Sequence, residues 1–368
     1  MALTRGDDFP IHQTSEPIAY SGSDRNFYDR YFFNAYPSDG QGYVAAAFGI
    51  YPHLNIADAH FCVVREGVQT SLHASRWLGL ERMDLVVGPI AITVVEPLRQ
   101  LRVSVDAPAH RLKAEVDFTG RAFPIEEPRF TRRTGTRLVM DYTRLTQNAR
   151  CAGWVELDGV RQSLEGWIGG RDRSWGIRPV GARDAQAIVP PQRPQFFWIW
   201  GPANMPGGSF FFHTNDEASG APWNRRAVWA PDGADPGQFH EFGGADFSAQ
   251  WRKGTRRVAR ATVKLADPNA AREVVYEPLW EFQMIGLGYG HPSWGHGLAH
   301  GELEVEREDC DLSALDPNRP EHLHVQAISK VIDRPASGAE EVGVGILEQL
   351  VIGPHGPSGF SSTFDLAS

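Results

Sequence analysis

The sequence predicts an all-β protein built as two consecutive barrel-like halves, and three observations carry that expectation. The 38 glycines and 26 prolines are spread evenly over 368 residues, a punctuation that suits short strands and tight turns. Several segments alternate apolar and polar residues with the period of two of a half-buried strand. No stretch of about twelve residues keeps apolar positions at i, i+3, i+4 and i+7 free of Gly or Pro, which disfavours an α/β sheet.

The alternation begins at Ile90, Ile92 and Val94, set against Ala91, Thr93 and Val95. Leu101, Val103 and Val105 then oppose Arg102, Ser104 and Asp106, and Leu112, Ala114, Val116 and Phe118 oppose Lys113, Glu115 and Asp117. In the second half Ala259, Ala261, Val263 and Leu265 oppose Arg260, Thr262 and Lys264, while Leu303 and Val305 oppose Glu302, Glu304 and Glu306. Strands with one wet face must close up or pair as sheets to remove their edges, so barrels or sandwiches are the natural outcome.

A chain of 368 residues exceeds the ~250 to 300 at which single cores stop growing, so two domains are expected. The stretch Arg178 to Pro194, rich in Pro, Gly and charge, divides them: 1–177 as the first barrel, 178–194 as linker, 195–368 as the second barrel. Glu96-Pro97-Leu98 recurs as Glu277-Pro278-Leu279 and Ser174-Trp175-Gly176 as Ser293-Trp294-Gly295, in the same order, which suggests a duplication.

A net charge of -9 with no clustered cationic run excludes nucleic acid as the expected partner. The three cysteines, Cys62, Cys151 and Cys310, lie far apart and form no CxxC pair, so neither a disulfide scaffold nor a zinc or redox motif is indicated. The N-terminal MALTRGDDFPIHQ lacks the apolar stretch of a signal peptide, and no apolar run is long enough for a membrane span. A cytoplasmic location is the expectation, and a homodimer is left open.

The segment Gly169-Gly170-Arg171-Asp172-Arg173-Ser174-Trp175-Gly176-Ile177-Arg178 closes the first half. It resembles the Asp-His-Asn/Glu-Trp/Phe-Gly signature of the AttH-like proteins and carotenoid 1,2-hydratases (hydroxyneurosporene synthases), a family related to the fungal survival-factor proteins. Arg173 stands where that family tends to have His, and Ser174 where it has Asn or Glu. The resemblance implies two tandem lipocalin-like antiparallel β-barrels with little helix. It also implies a hydrophobic, isoprenoid-like or aromatic ligand inside a barrel, with water added across a carbon–carbon double bond in some members.

Such a hydration needs an acid able to protonate an alkene, a dry pocket and aromatic faces for the cation. By position Asp172 is the candidate acid, with Trp175, Phe197, Trp198, Trp200, Trp294 and Tyr51 as candidate ligand contacts. The competing readings are an ion pair of Asp172 with Arg171, Arg173 and Arg178, and ordinary core packing for the aromatics. His291, His296 and His300 share the glycine-rich GYGHPSWGHGLAHGE; their spacing matches no ligand motif, so no metal is expected, and His291 and His296 are candidate acid–base groups at a pocket mouth. Tyr28, Asp29, Arg30 and Tyr31, then Tyr51, His53, Asp58 and His60, lie at strand ends where polar groups ring a barrel mouth. Glu126 and Glu127 are adjacent and on a strand would point apart. No GxSxG elbow, phosphate-binding loop or GxGxxG is found. The reading is a cofactor-free lyase or isomerase that hydrates, dehydrates or isomerises a hydrophobic small molecule by acid–base chemistry. The alternative is a non-catalytic carrier using the same barrel.

Overall fold

The computed structural model describes residues 3–12, 24–184, 186, 189, 191, 193–266, 271–336 and 338–368. Residues 185, 187, 188, 190 and 192 of the expected linker lie outside them. The chain is all-β and carries no α-helix among the described residues, only 3-10 turns. No helix of the described residues is long and apolar enough to cross a membrane.

Among the described residues thirteen strands precede the midpoint: β1 (Phe27–Tyr36), β2 (Tyr43–Tyr51), β3 (Ile56–Arg65), β4 (Val68–Trp77), β5 (Val86–Val87), β6 (Ile90–Glu96), β7 (Gln100–Ala107), β8 (Leu112–Gly120), β9 (Ile125–Glu126), β10 (Phe130–Thr134), β11 (Arg137–Leu157), β12 (Val160–Ser163) and β13 (Trp167–Ile177). Ten follow: β14 (Phe196–Met205), β15 (Gly208–Asp216), β16 (Pro222–Pro231), β17 (His240–Glu241), β18 (Gly244–Trp251), β19 (Val258–Ala266), β20 (Arg272–Gln283), β21 (Leu303–Asp311), β22 (Val325–Pro335) and β23 (Glu341–Ile352). They form two antiparallel sheets, each a nearly closed or half barrel, as tandem lipocalin-like barrels require.

The first sheet runs β21-β4-β3-β2-β1-β13-β11-β8-β7-β6-β5, with β9, β10 and β12 added along the long β11. Its inward face is a continuous apolar core: Phe33 on β1 meets Phe118 on β8 at 4.9 Å between rings, and Val103, Val105, Val116 and Leu101 pack with Phe48, Phe61 and Leu72. β7 and β8 alternate buried and half-exposed residues as their sequence demands. β1, by contrast, is buried on both faces along its whole length, and β2 likewise. The second sheet runs β17-β16-β15-β14-β23-β22-β20-β19-β18 around its own core, which includes Phe197, Ile199, Phe210, Phe212, Val263 and Tyr276.

The compact units differ from the expected halves in one respect. The first unit is Met1–Pro37, Gly42–Pro191 and Ile285–Ser313; the second is Ser38–Gln41, Gln192–Met284 and Ala314–Ser368. The segment Ile285–Ser313, placed by the sequence reading in the second barrel, returns to the first because β21 adds to β4, Leu303 opposite Arg76 through Asp311 opposite Val68. Periodicity identifies a strand but carries no record of its partner.

Two smaller expectations are also corrected. Ala259 is exposed, because the register between β18 and β19 slips opposite Trp251 and Val258 takes the inward place. The repeated tripeptides are not equivalent: Glu96-Pro97-Leu98 forms the turn from β6 to β7, whereas Glu277-Pro278-Leu279 lies inside β20. Ser174-Trp175-Gly176 is in β13, while Ser293-Trp294-Gly295 is in a turn, so neither pair supports a duplication.

Candidate active site

The polar groups with unusual surroundings gather on the outward face of β1, β2, β3, β4, β13 and β21, opposite the apolar core. Alternation assigns that face to Tyr28, Arg30 and Phe32 of β1, Asp58, His60 and Cys62 of β3, Ser71 and His73 of β4, Asp172 and Ser174 of β13, and Glu306 and Glu308 of β21. The segment 285–301 packs against this face, where the Gly286 carbonyl accepts from the Cys62 thiol and the Gly297 amide donates to Asp58. This is why β1 to β3 carry Asp, Arg and His at positions that are nonetheless buried.

A line of histidine rings and a carboxylate crosses the face. His60 and His73 stand directly opposite in the β3–β4 hairpin with their Nδ1 atoms 2.8 Å apart, and both are fully buried. His73 Nε2 lies 3.5 Å from Glu308 Oε2, and His291 Nε2 lies 3.0 Å from the same oxygen. The His73 contact draws the Glu308 carboxyl down to about 2, opposed by its partial burial and helped by His291. Burial pushes His60 well below the ordinary histidine range, with the charges of His73 and Arg30 acting the same way, and burial also lowers His73.

Both rings are therefore neutral near pH 7, and the tautomers follow. The carboxylate of Glu308, 3.5 Å away, favours the proton on His73 Nε2, which leaves His73 Nδ1 a lone pair able to accept only if His60 Nδ1 donates. His60 Nε2 is then unprotonated, and it has no hydrogen-bond partner. It sits 3.9 Å from Asp58 Oδ1. Asp58 accepts from the Tyr51 hydroxyl at 3.1 Å and the Gly297 amide at 2.7 Å, yet burial raises its carboxyl to about 6 against the lowering field of Arg30. An unprotonated imidazole nitrogen beside a carboxyl that titrates near neutrality is an acid–base pair.

The sequence-derived candidates distribute unevenly around this pair. His296 is on the covering segment: its Nε2 donates to the Leu287 carbonyl at 2.7 Å and its Nδ1 accepts from Arg30 at 2.7 Å, so both nitrogens are engaged. Burial, Arg30 and Arg178 hold it neutral, well below its ordinary range. His291 Nδ1 accepts the backbone amides of Ser293 and Trp294, which fixes its proton on Nε2 toward Glu308. Trp294 stacks between His73 and His300 and donates to Glu306 at 2.6 Å, and Tyr51 touches Asp58. Asp172 is half-buried on the same face, and its charge acts on Tyr28 and Arg144.

Arg171 and Arg173, suggested as partners of Asp172, point to the opposite face, where they bind the buried carboxylates of Asp8 and Asp29. Trp175 faces that way too and stacks on His12 at 3.8 Å, so it shares no wall with Asp172. Phe197, Trp198 and Trp200 belong to the second unit. Phe197 is part of its core and stacks on His355, Trp198 donates to Glu348 at 2.9 Å, and Trp200 is buried. The expected binding space inside a barrel is thus replaced in the first unit by an apolar core, with the acid–base groups on the other side of the sheet.

His73, His291 and Glu308 place ligating atoms within 4.8 Å of one another, a metal-like grouping. The two backbone amides on His291 Nδ1 keep its Nε2 protonated, so His291 offers no lone pair to an ion without breaking them. His73, Glu308 and the roles of Asp58 and His60 were missed by motif and loop reasoning. The hairpin held the signal: Glu66 and Gly67, both with positive φ, form a two-residue turn that sets His60 against His73.

Two antiparallel barrel-like sheets, the first with a buried cluster of titratable groups on the face opposite its core, define the fold and the candidate site. The fold matches the crystal structure of a protein described as an AttH from Nitrosomonas europaea, with a TM-score of 0.50, 13% identity and coverage of 92% of this chain and 98% of that one. It also matches CghA, with a TM-score of 0.51, 12% identity and coverage of 94% and 95%. Kievitone hydratase from Nectria haematococca aligns at a TM-score of 0.46 and 8% identity over 88% of each chain. No curated protein matches the sequence. The family of unknown function DUF8625 matches residues 3–361, and the chain belongs to it.

Proposed function

We propose that this protein is a cofactor-free acid–base enzyme, a lyase or isomerase that adds water to, removes it from, or moves a carbon–carbon double bond in a small organic molecule. One observation carries the reading: the line from Glu308 through His73 to His60 ends in an unpaired Nε2 beside a carboxyl raised to about 6. In the hydration direction His60 Nε2 takes a proton from water as its oxygen bonds to one carbon. The π electrons shift to the other carbon, Asp58 delivers a proton there, and the proton on His60 returns to Asp58 by exchange with water after the product leaves, so the sum is one water added. Glu308 and His73 are positioning residues that fix the base's tautomer. His291 and His296 act beside the pair by orienting Glu308 and Arg30, whereas Asp172 stands three strands from His60 on the same face, across Phe32 and Ala47. The AttH-like fold agrees with this class of chemistry, and a carrier would have no use for the histidine line.

The test uses deuterium. The purified chain is incubated in D2O with a panel of unsaturated and β-hydroxy compounds, and deuterium entering carbon is read by mass spectrometry. Wild type exchanges at least one panel member, and His60→Gln, with unchanged circular dichroism, loses at least about 100-fold of that rate, the usual size of a general-base contribution. Exchange that survives His60→Gln refutes the assignment.

A further inference from the structure

We infer that the substrate carries an oxyanion, a carboxylate or an enolate conjugated to the reacting carbons, and that Arg30 and Arg178 receive it together with the Tyr28 hydroxyl. This rests on the acid–base reading of the same face and names the substrate class for it.

Arg30 is 2% exposed. A buried guanidinium ordinarily meets a carboxylate that uses its fork. Here the fork meets the neutral His296, whose ring nitrogens lie 2.7 and 2.6 Å from Nη1 and Nη2, and Arg30 Nε has no hydrogen-bond partner. Asp58 feels the charge of Arg30, yet its oxygens accept from Tyr51 and Gly297. Arg178, half-buried, lies 4.5 Å over the Tyr28 ring and 5.7 Å from the centre of the Tyr289 ring, while Arg30 lies 4.5 Å over Tyr289. The charges that act most on Arg178 are those of tyrosines, Tyr28, Tyr289, Tyr142 and Tyr51. The Tyr28 hydroxyl is buried as well, with the Ser174 side chain as its polar neighbour.

Two cations braced by one phenol ring, with donors unspent, form a receptor for one negatively charged oxygen group. The charge of Asp172 acts on Arg144 and on Tyr28, but it is not among those that act most on Arg178. The arrangement also fits the reaction. When water adds to a double bond conjugated to a carboxylate, charge accumulates on the oxygen until the second carbon is protonated, and donors aimed at that oxygen lower the barrier. An anion at Arg30 removes that guanidinium's pull on Asp58, which keeps the carboxyl protonated for delivery.

The experiment compares cinnamate with neutral cinnamyl alcohol by isothermal titration against the full chain near pH 7 and low salt. Cinnamate binds at least about tenfold tighter than the alcohol, and Arg178→Met and Arg30→Met each remove about tenfold or more of that affinity while leaving the alcohol unchanged, as expected for a lost charge-assisted hydrogen bond. Should Arg30→Met fail to fold, Arg178→Met at its half-buried position carries the test. Equal affinities, no cinnamate binding at millimolar concentration, or a preference that survives Arg178→Met overturns the inference. His60→Gln retains cinnamate binding, which separates the two readings. An arginine-dependent preference without deuterium exchange in wild type leaves the oxyanion receptor standing and removes the enzyme, whereas exchange confined to neutral compounds does the reverse.

Discussion

Asp58→Asn is the substitution that most directly weighs the cost of the site. The carboxyl titrates at about 6 in the fold against 3.8 for an unperturbed aspartate. A raised carboxyl pKa means the folded chain holds a proton that the unfolded chain has lost, so Asp58 draws stability down as pH rises through that window and leaves it lowered above it. The 2.2-unit difference, 6 minus 3.8, corresponds to about 3 kcal/mol. Asparagine is nearly isosteric, can accept one of the two hydrogen bonds through its carbonyl, and has no charge to desolvate. Wild type and Asp58→Asn should have the same stability near pH 4, whereas at pH 8 the variant should be more stable by about 1 to 3 kcal/mol, the lower figure allowing for a weakened contact with Tyr51 or Gly297. Denaturant unfolding followed by tryptophan fluorescence at pH 4, 6 and 8 gives the difference directly. The same variant should lose deuterium exchange. A gap between the two proteins that does not widen with pH would refute the claim that burial, held against Arg30, sets this carboxyl's proton affinity.

Two further expectations follow from the same geometry. Gly288 has φ +86 and sits where an added Cβ would lie 2.8 Å from His60 Nε2, His296 Cδ2 and the Trp294 carbonyl oxygen, so Gly288→Ala should cost at least about 1 kcal/mol and reduce exchange; an unchanged melting temperature would show that the segment does not close over His60. Asp172→Asn should alter stability by less than about 1 kcal/mol, because the group is half-buried, whereas Arg171→Met, which strands the buried Asp8, should cost about 3 to 5 kcal/mol; a large loss for Asp172→Asn would identify it as a structural ion pair.

The contrast between those two residues also shows which parts of the molecule the sequence made legible. Strands with one wet face announce themselves, and β7 and β8 keep in the fold the alternation that Leu101 to Val105 and Leu112 to Phe118 display. The inward-facing Arg171 and Arg173 defeat the same reasoning, since period two says only that they share a face and oppose Asp172, and their charge suggests solvent when in fact each neutralises a buried aspartate. The candidate site was obscured for a related reason. β1 to β4 are buried on both sides, so His60 and His73 carry no amphipathic signature, and the segment that covers them comes from more than two hundred positions later in the chain, counting from His60 to Ile285. What remained readable was local: the Glu66-Gly67 turn fixes the register that sets one histidine against the other. Glu308, which orders their protons, reaches them only because β21 crosses to the edge of the first sheet, and a long-range pairing of that kind is decided by the free energy of closing the sheet rather than by any pattern within the strand.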